Sequence, residues 1–111
     1  MPRIGELWLV DFGDPYPGEP AHHRPALVVG PAEMFSGLPF VFVVPTTTTH
    51  RGLALHVELE PGSDTGLDDV SYAQCEQLRS INARRLVHRL GAAPPAVQAQ
   101  VDSLLRALLD H

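Results

Sequence analysis

Proline and glycine recur along almost the whole chain. Eleven prolines and nine glycines lie scattered through 111 residues. Proline removes a backbone donor and interrupts helices and sheet ladders, while glycine opens tight turns. A chain punctuated in this way folds into many short elements joined by turns rather than a few long helices. The one long helix is expected at the end. Pro94-Pro95 suits a helix start, and Val97, Val101, Leu104, Leu105 and Leu108 then recur at helical spacing. Gln98, Gln100, Asp102 and Arg106 are left mostly outward.

The segments before that helix read as strands. Glu6 to Phe12 mixes alternating and apolar positions, and Pro25 to Val29 is a short buried run. Phe40-Val41-Phe42-Val43-Val44 is β-branched and aromatic, the strongest strand signal in the chain. Leu55 to Glu60 alternates apolar and polar residues, the pattern of a half-buried strand. Val70 to Ile81 reads as one extended stretch with a break near Asn82, and Leu86 to Leu90 as a last short strand. Gly13–His23 and Thr46–Gly52 are expected as polar loops, Ala32–Phe35 as one helical turn and Pro61–Gly66 as a turn. Several short strands followed by one helix predict a mainly β, mostly antiparallel small barrel capped by a C-terminal α-helix, one domain over residues 1–111.

The net charge of −5 argues against broad non-specific binding to nucleic acid. It leaves room for a local basic site. All eight basic side chains are arginines, planar forks suited to phosphates. Cys75 is the single cysteine, which points to a reducing compartment. No signal-peptide core precedes Glu6 and no apolar run approaches the ~20 residues of a membrane helix. The expected location is the cytoplasm, with no membrane association.

Arg24 stands directly before Pro25 and its apolar strand, and Phe40–Val44 runs out into Pro45-Thr46-Thr47-Thr48-Thr49. If the two strands pair antiparallel, the start of one and the finish of the other meet at the same end of the sheet. A fixed cation then faces a cluster of hydroxyls, a cradle for a phosphate. By alternation Thr47 and Thr49 share one face, Thr46 and Thr48 the other. His22 and His23 precede Arg24; at most one of them can face the same site, where it could move a proton. Glu76-Gln77-Leu78-Arg79 offers an acceptor, an amide and a guanidinium for reading unpaired bases, or a solvated face with an internal ion pair. Arg84, Arg85 and Arg89 form a second basic group, assigned to surface or subunit contacts. No histidine, cysteine or carboxylate spacing suits a metal ion, so no metal and no cofactor is expected.

Taken in order, these segments resemble the MazF/PemK family of toxin endoribonucleases. Glu6–Phe12 resembles the family's opening strand, and Gly18-Glu19 through Arg24-Pro25 to Val29 its glycine-rich loop ending in Arg-Pro. Val44-Pro45-Thr46-Thr47 resembles the strand end that carries its threonine, and Glu76-Gln77-Leu78-Arg79-Ser80-Ile81 its late-strand signature. The chain departs in having Gly18-Glu19-Pro20 where the family often has Ser-Glu-Gln, and in a short Thr46–Leu53 loop. The resemblance implies a homodimer with an SH3-like barrel of the MazF/CcdB plasmid-toxin type. It implies metal-independent cleavage of single-stranded RNA by attack of the ribose 2′-hydroxyl, leaving 2′,3′-cyclic phosphate and 5′-hydroxyl ends. An antitoxin would block the groove. The catalytic arginine falls on Arg24 and the catalytic threonine on Thr47, with Thr46 and Thr48 as alternatives; His23 is a candidate to share proton transfer. RNA-contacting positions fall on Leu53, Ser71, Glu76, Gln77 and Arg79, joined by Glu19, Thr46, Thr48, His50 and Arg51 around the two loops. Two rivals stay open: a CcdB-like gyrase-binding toxin and a non-catalytic SH3-like binding module.

Overall fold

The structure, a computed structural model, describes all residues except 1, 15, 18–21, 36 and 111. Among the described residues seven strands precede one α-helix. They are β1 (Glu6–Asp11), β2 (His23–Gly30), β3 (Phe40–Thr47), β4 (His56–Leu59), β5 (Ser71–Gln74), β6 (Arg79–Asn82), β7 (Leu86–Ala92) and α1 (Pro95–Leu108). Every pairing is antiparallel. The strand order is β4-β5-β3-β2-β1-β7, with β6 also on β3. The helical turn expected near Phe35 is a short 3-10 turn, Glu33–Phe35.

The stretch expected as one strand from Val70 to Ile81 is two. β5 pairs with the end of β3 through Thr46↔Ala73 and Thr47↔Tyr72. β6 pairs with its start, from Phe40↔Asn82 to Val43↔Arg79. The two ladders differ in register by three residues, and the 3-10 turn Cys75–Gln77, three residues long, absorbs the difference. β3 is also longer than the Phe40–Val44 run. Its β-branched Thr46 and Thr47 continue the ladder, so the following loop starts at Thr48.

The described ladders do not close into a ring, because β4 and β7 lie at opposite ends of the strand order. The fold is barrel-like because both ends curl over one core. Leu7, Leu27, Val44, Val57, Leu59 and Val101 meet there, each at most 1% exposed. The turn after β4 comes back against β7: the Ala92 N–H donates to the Asp64 carbonyl at 2.9 Å. Gly66 adopts a left-handed φ of 71°, and a Cβ there would run into the Leu90 carbonyl oxygen. α1 caps this core through Val101, with Val97, Leu104 and Leu105 packed around it.

A second cluster of Val10, Ala26, Val28, Val41, Val43 and Ile81 lies on the other face of β2 and β3. These two strands are therefore covered on both faces along their middles. Their buried runs give way to half-buried residues at one shared end, where Arg24 and Thr47 stand.

Candidate functional site

The register of β2 against β3 decides what meets Arg24. Ala26 lies opposite Pro45 and Leu27 opposite Val44. Continued two residues outward, the same register sets Arg24 opposite Thr47. Directly opposed residues of an antiparallel pair share a face, so guanidinium and hydroxyl project to the same side. Arg24 is half-buried. Its Nη1 donates to the Thr46 carbonyl at 3.5 Å, a long and weak bond. Among the described residues the arginine–carboxylate pairs are Arg89–Glu6 and Arg106–Asp102, and the histidine–carboxylate contacts His23–Asp11 and His56–Glu76; none includes Arg24. A partly desolvated cation without a counterion is costly, and an anion bound there would relieve that cost. Thr47 Oγ1 accepts the Thr49 N–H at 3.2 Å, while its own proton has no acceptor among the described residues.

The same face continues across two more strands. Thr47 lies opposite Tyr72, and Tyr72 lies opposite Glu58. The His50 ring leans on Tyr72, centroids 5.0 Å apart at 33°. Further along β3, Arg79 stands opposite Val43, on the Arg24 face by the period of two. Its guanidinium donates to the Gln77 carbonyl at 3.3 Å and to Gln77 Oε1 at 3.1 Å, and lies 5.8 Å from the centre of the Phe12 ring. Glu76 is held by His56, Oε2 to Nε2 at 2.8 Å. The His56 side chain is only 3% exposed, and its Nδ1 is buried without a partner.

The expected site residues separate into those on this face and those elsewhere. Arg24, Thr47 and Arg79 share the face. His50 leans on it through Tyr72, Gln77 reaches it through Arg79, and Glu76 is tied to its far side by His56. Arg51 and Leu53 are exposed in the loop between β3 and β4, and Thr48 is exposed at its start. Thr46 does not reach an open surface. It is 2% exposed, and its hydroxyl donates to the Pro25 carbonyl at 2.8 Å, which ties β3 to β2. Ser71 is likewise buried, its hydroxyl donating to the Asp69 carbonyl at 3.0 Å. His23 turns to the face opposite Arg24, as adjacent strand residues must, with Nε2 3.9 Å from Asp11 Oδ2. Glu19 lies outside the described residues. Burial and then the Glu76 charge push the Cys75 thiol up to about 11, so it stays protonated and is no nucleophile.

Sequence reasoning missed Tyr72, Phe12 and His56. The signal for Tyr72 was present: with Gln74 it forms the outward half of an alternating strand whose inward residues are Ser71 and Ala73. An aromatic ring on a polar face is worth noticing. Among the described residues no group of three or more His, Cys, Asp or Glu could hold a metal ion.

Residues 3–109 match the family model of the PemK-like, MazF-like toxins of type II toxin–antitoxin systems. The endoribonuclease MazF9 of Mycobacterium tuberculosis is 36% identical over 116 residues, covering 99% of this chain and 98% of that protein. The endoribonuclease toxin MazF of Escherichia coli K12 is 31% identical over 100 residues, covering 88% and 86%. The crystal structure of MazF from Deinococcus radiodurans superposes with a TM-score of 0.83 at 29% identity, covering 99% and 97% of the two chains. A MazE–MazF crystal structure from the same organism gives 0.77 at 30%, covering 97% and 95%. The chain belongs to the PemK-like, MazF-like toxins of type II toxin–antitoxin systems.

Proposed function

We propose that this protein is the toxin endoribonuclease of its system, one domain over residues 1–111 that cuts single-stranded RNA in the cytoplasm, where that substrate lies. The observation that carries the reading is Arg24: half-buried, without a carboxylate partner among the described residues, and set by register across from Thr47. Its relatives in Mycobacterium tuberculosis and Escherichia coli bear the name endoribonuclease.

In the reaction the ribose 2′-oxygen bonds to the adjacent phosphorus and the 5′-oxygen of the next nucleotide leaves. The 2′-proton departs and the leaving oxygen gains one, so a 2′,3′-cyclic phosphate and a 5′-hydroxyl result. The phosphorane in between carries two negative charges. Arg24 clamps its oxygens and neutralises charge, and the Thr47 hydroxyl donates one more hydrogen bond. Both groups are in place before substrate arrives, so charge stabilisation needs little reorganisation. Arginine remains protonated at any working pH and is a poor base. The 2′-proton therefore passes to another acceptor, and His23, on the opposite face, lies badly for that task. Arg79, Glu76 and Gln77 are the candidates for gripping the strand and its bases.

We also infer a cognate antitoxin that occupies this face, and a homodimer. Ile4, Leu38 and Phe40 line a groove of about 560 Å³ at the opposite end of β2 and β3 from Arg24 and Thr47, a surface suited to a second copy.

The test is incubation of purified protein with a long single-stranded RNA in EDTA. Cuts with 5′-hydroxyl and cyclic phosphate ends are expected. Arg24→Ala should slow cleavage by about a hundredfold, about 2.7 kcal/mol of barrier, as for loss of one oxyanion donor. An intact substrate with wild-type protein, or near-normal cutting by Arg24→Ala, overturns the reading.

A further inference from the structure

We propose that Tyr72 is a stacking platform for the base next to the scissile phosphate, so that it selects how a nucleotide enters the site; this rests on the nuclease reading above. In the cross-strand row, Thr47 stands opposite Tyr72, and Tyr72 opposite Glu58, while the β2–β3 register sets Arg24 across from Thr47. Neighbouring strands are about 4.8 Å apart. Tyr72 therefore sits roughly 5 Å from the threonine and roughly 10 Å from the arginine, within reach of a base attached to a phosphate held between them.

The chemistry changes along the row in one direction, from guanidinium to hydroxyl, then aromatic ring, then carboxylate. Glu58 points outward from β4 and Glu60 follows directly after the strand; hydrogen bonding to Glu58 and then the Glu58 charge push the Glu60 carboxyl up. That end repels phosphate, whereas the Arg24 end attracts it. A nucleotide lying along the row is thus fixed with its phosphate at Arg24 and its base over Tyr72. Tyr72 is half-buried, and the His50 ring leans on it at 5.0 Å. A ring restrained in this way loses little side-chain freedom when a base stacks. Stacking tolerates any base because every base has a π-face.

The test compares two uncleavable single-stranded RNAs of mixed sequence, each with fluorine in place of every 2′-hydroxyl. One carries its bases and the other is abasic throughout. Wild-type protein should bind the base-bearing strand at least about tenfold more tightly. Tyr72→Val, which keeps a β-branched residue in β5, should shrink that preference to less than about threefold while binding the abasic strand as wild type does. Tyr72→Phe should keep it. The proposal is overturned if wild type shows no preference, if Tyr72→Val retains it, or if that variant weakens both strands equally. Cleavage of ordinary RNA is measured alongside. A protein that shows the base preference yet cuts nothing refutes the nuclease reading and leaves the platform standing.

Discussion

Thr46 and Thr47 are neighbours in β3 with opposite surroundings. Thr46 is 2% exposed and donates its hydroxyl to the Pro25 carbonyl at 2.8 Å. Thr47 is half-buried and accepts the Thr49 N–H at 3.2 Å, leaving a proton for substrate. The two valine substitutions should therefore separate stability from chemistry. Thr46→Val removes a buried hydrogen bond and leaves the Pro25 carbonyl short of a donor, a loss of about 1–3 kcal/mol. Its thermal midpoint should fall by several degrees while cleavage by the folded protein changes little. Thr47→Val should melt close to wild type and cut RNA at least tenfold more slowly. Melting curves and initial rates on one RNA check both, and a slow Thr46→Val with a fast Thr47→Val would reverse the assignment.

At the level of elements, what was legible depended on how local the cause was. The Phe40–Val44 run announced β3 because β-branched and aromatic residues favour a pleated surface, and Leu55–Glu60 announced β4 by its alternation. The Pro94-Pro95 start and the apolar spacing of α1 were equally local. The division of residues 70–81 was not legible. It arises because β5 and β6 compete for one edge of β3 in two registers, a tertiary cause that alternation cannot report. For the site, the meeting of Arg24 with the run of threonines was readable from two strands and their pairing, but the burial of Thr46 and Ser71 depends on carbonyl partners that no spacing reveals. The closing turn after β4 is a similar case. Pro61–Gly66 reads as a turn, yet only the structure brings it against β7. Gly66→Ala would both strain a left-handed φ of 71° and drive a methyl group into the Leu90 carbonyl. Strain of this kind costs about 1–3 kcal/mol. The variant should melt several degrees lower, with faster amide exchange at Ala92, whose N–H bonds Asp64 across this join. Unchanged exchange there would show that the turn does not hold the two ends of the sheet together.

For the molecule as a whole, Glu6 should contribute to the acid limb of stability. Its carboxylate gathers three otherwise separate pieces: the Arg3 N–H at 2.7 Å, the Trp8 indole N–H at 3.2 Å and the Arg89 guanidinium on β7 at 2.7 Å. Burial alone would raise this carboxyl, but the hydrogen bonds from Arg3, Trp8 and Arg89, with the Arg89 charge, outweigh it and hold it below its ordinary 4.5. A carboxyl lower in the folded than in the unfolded chain favours folding fully above the unfolded value. That contribution disappears as pH falls through the folded one. Glu60 works in the opposite sense. Its raised carboxyl means that the folded chain binds a proton more readily than the unfolded one, so its effect turns unfavourable as pH rises, although full exposure leaves it screened and small. Urea unfolding of wild type and Glu6→Gln at steps from neutral pH down to below 4.5 should therefore show curves that are furthest apart near neutrality and converge in acid. Glu60→Gln should give a much smaller change, of the other sign. Curves for Glu6→Gln that stay parallel to wild type at every pH would mean that this carboxylate does not couple the chain start, β1 and β7 to the global fold.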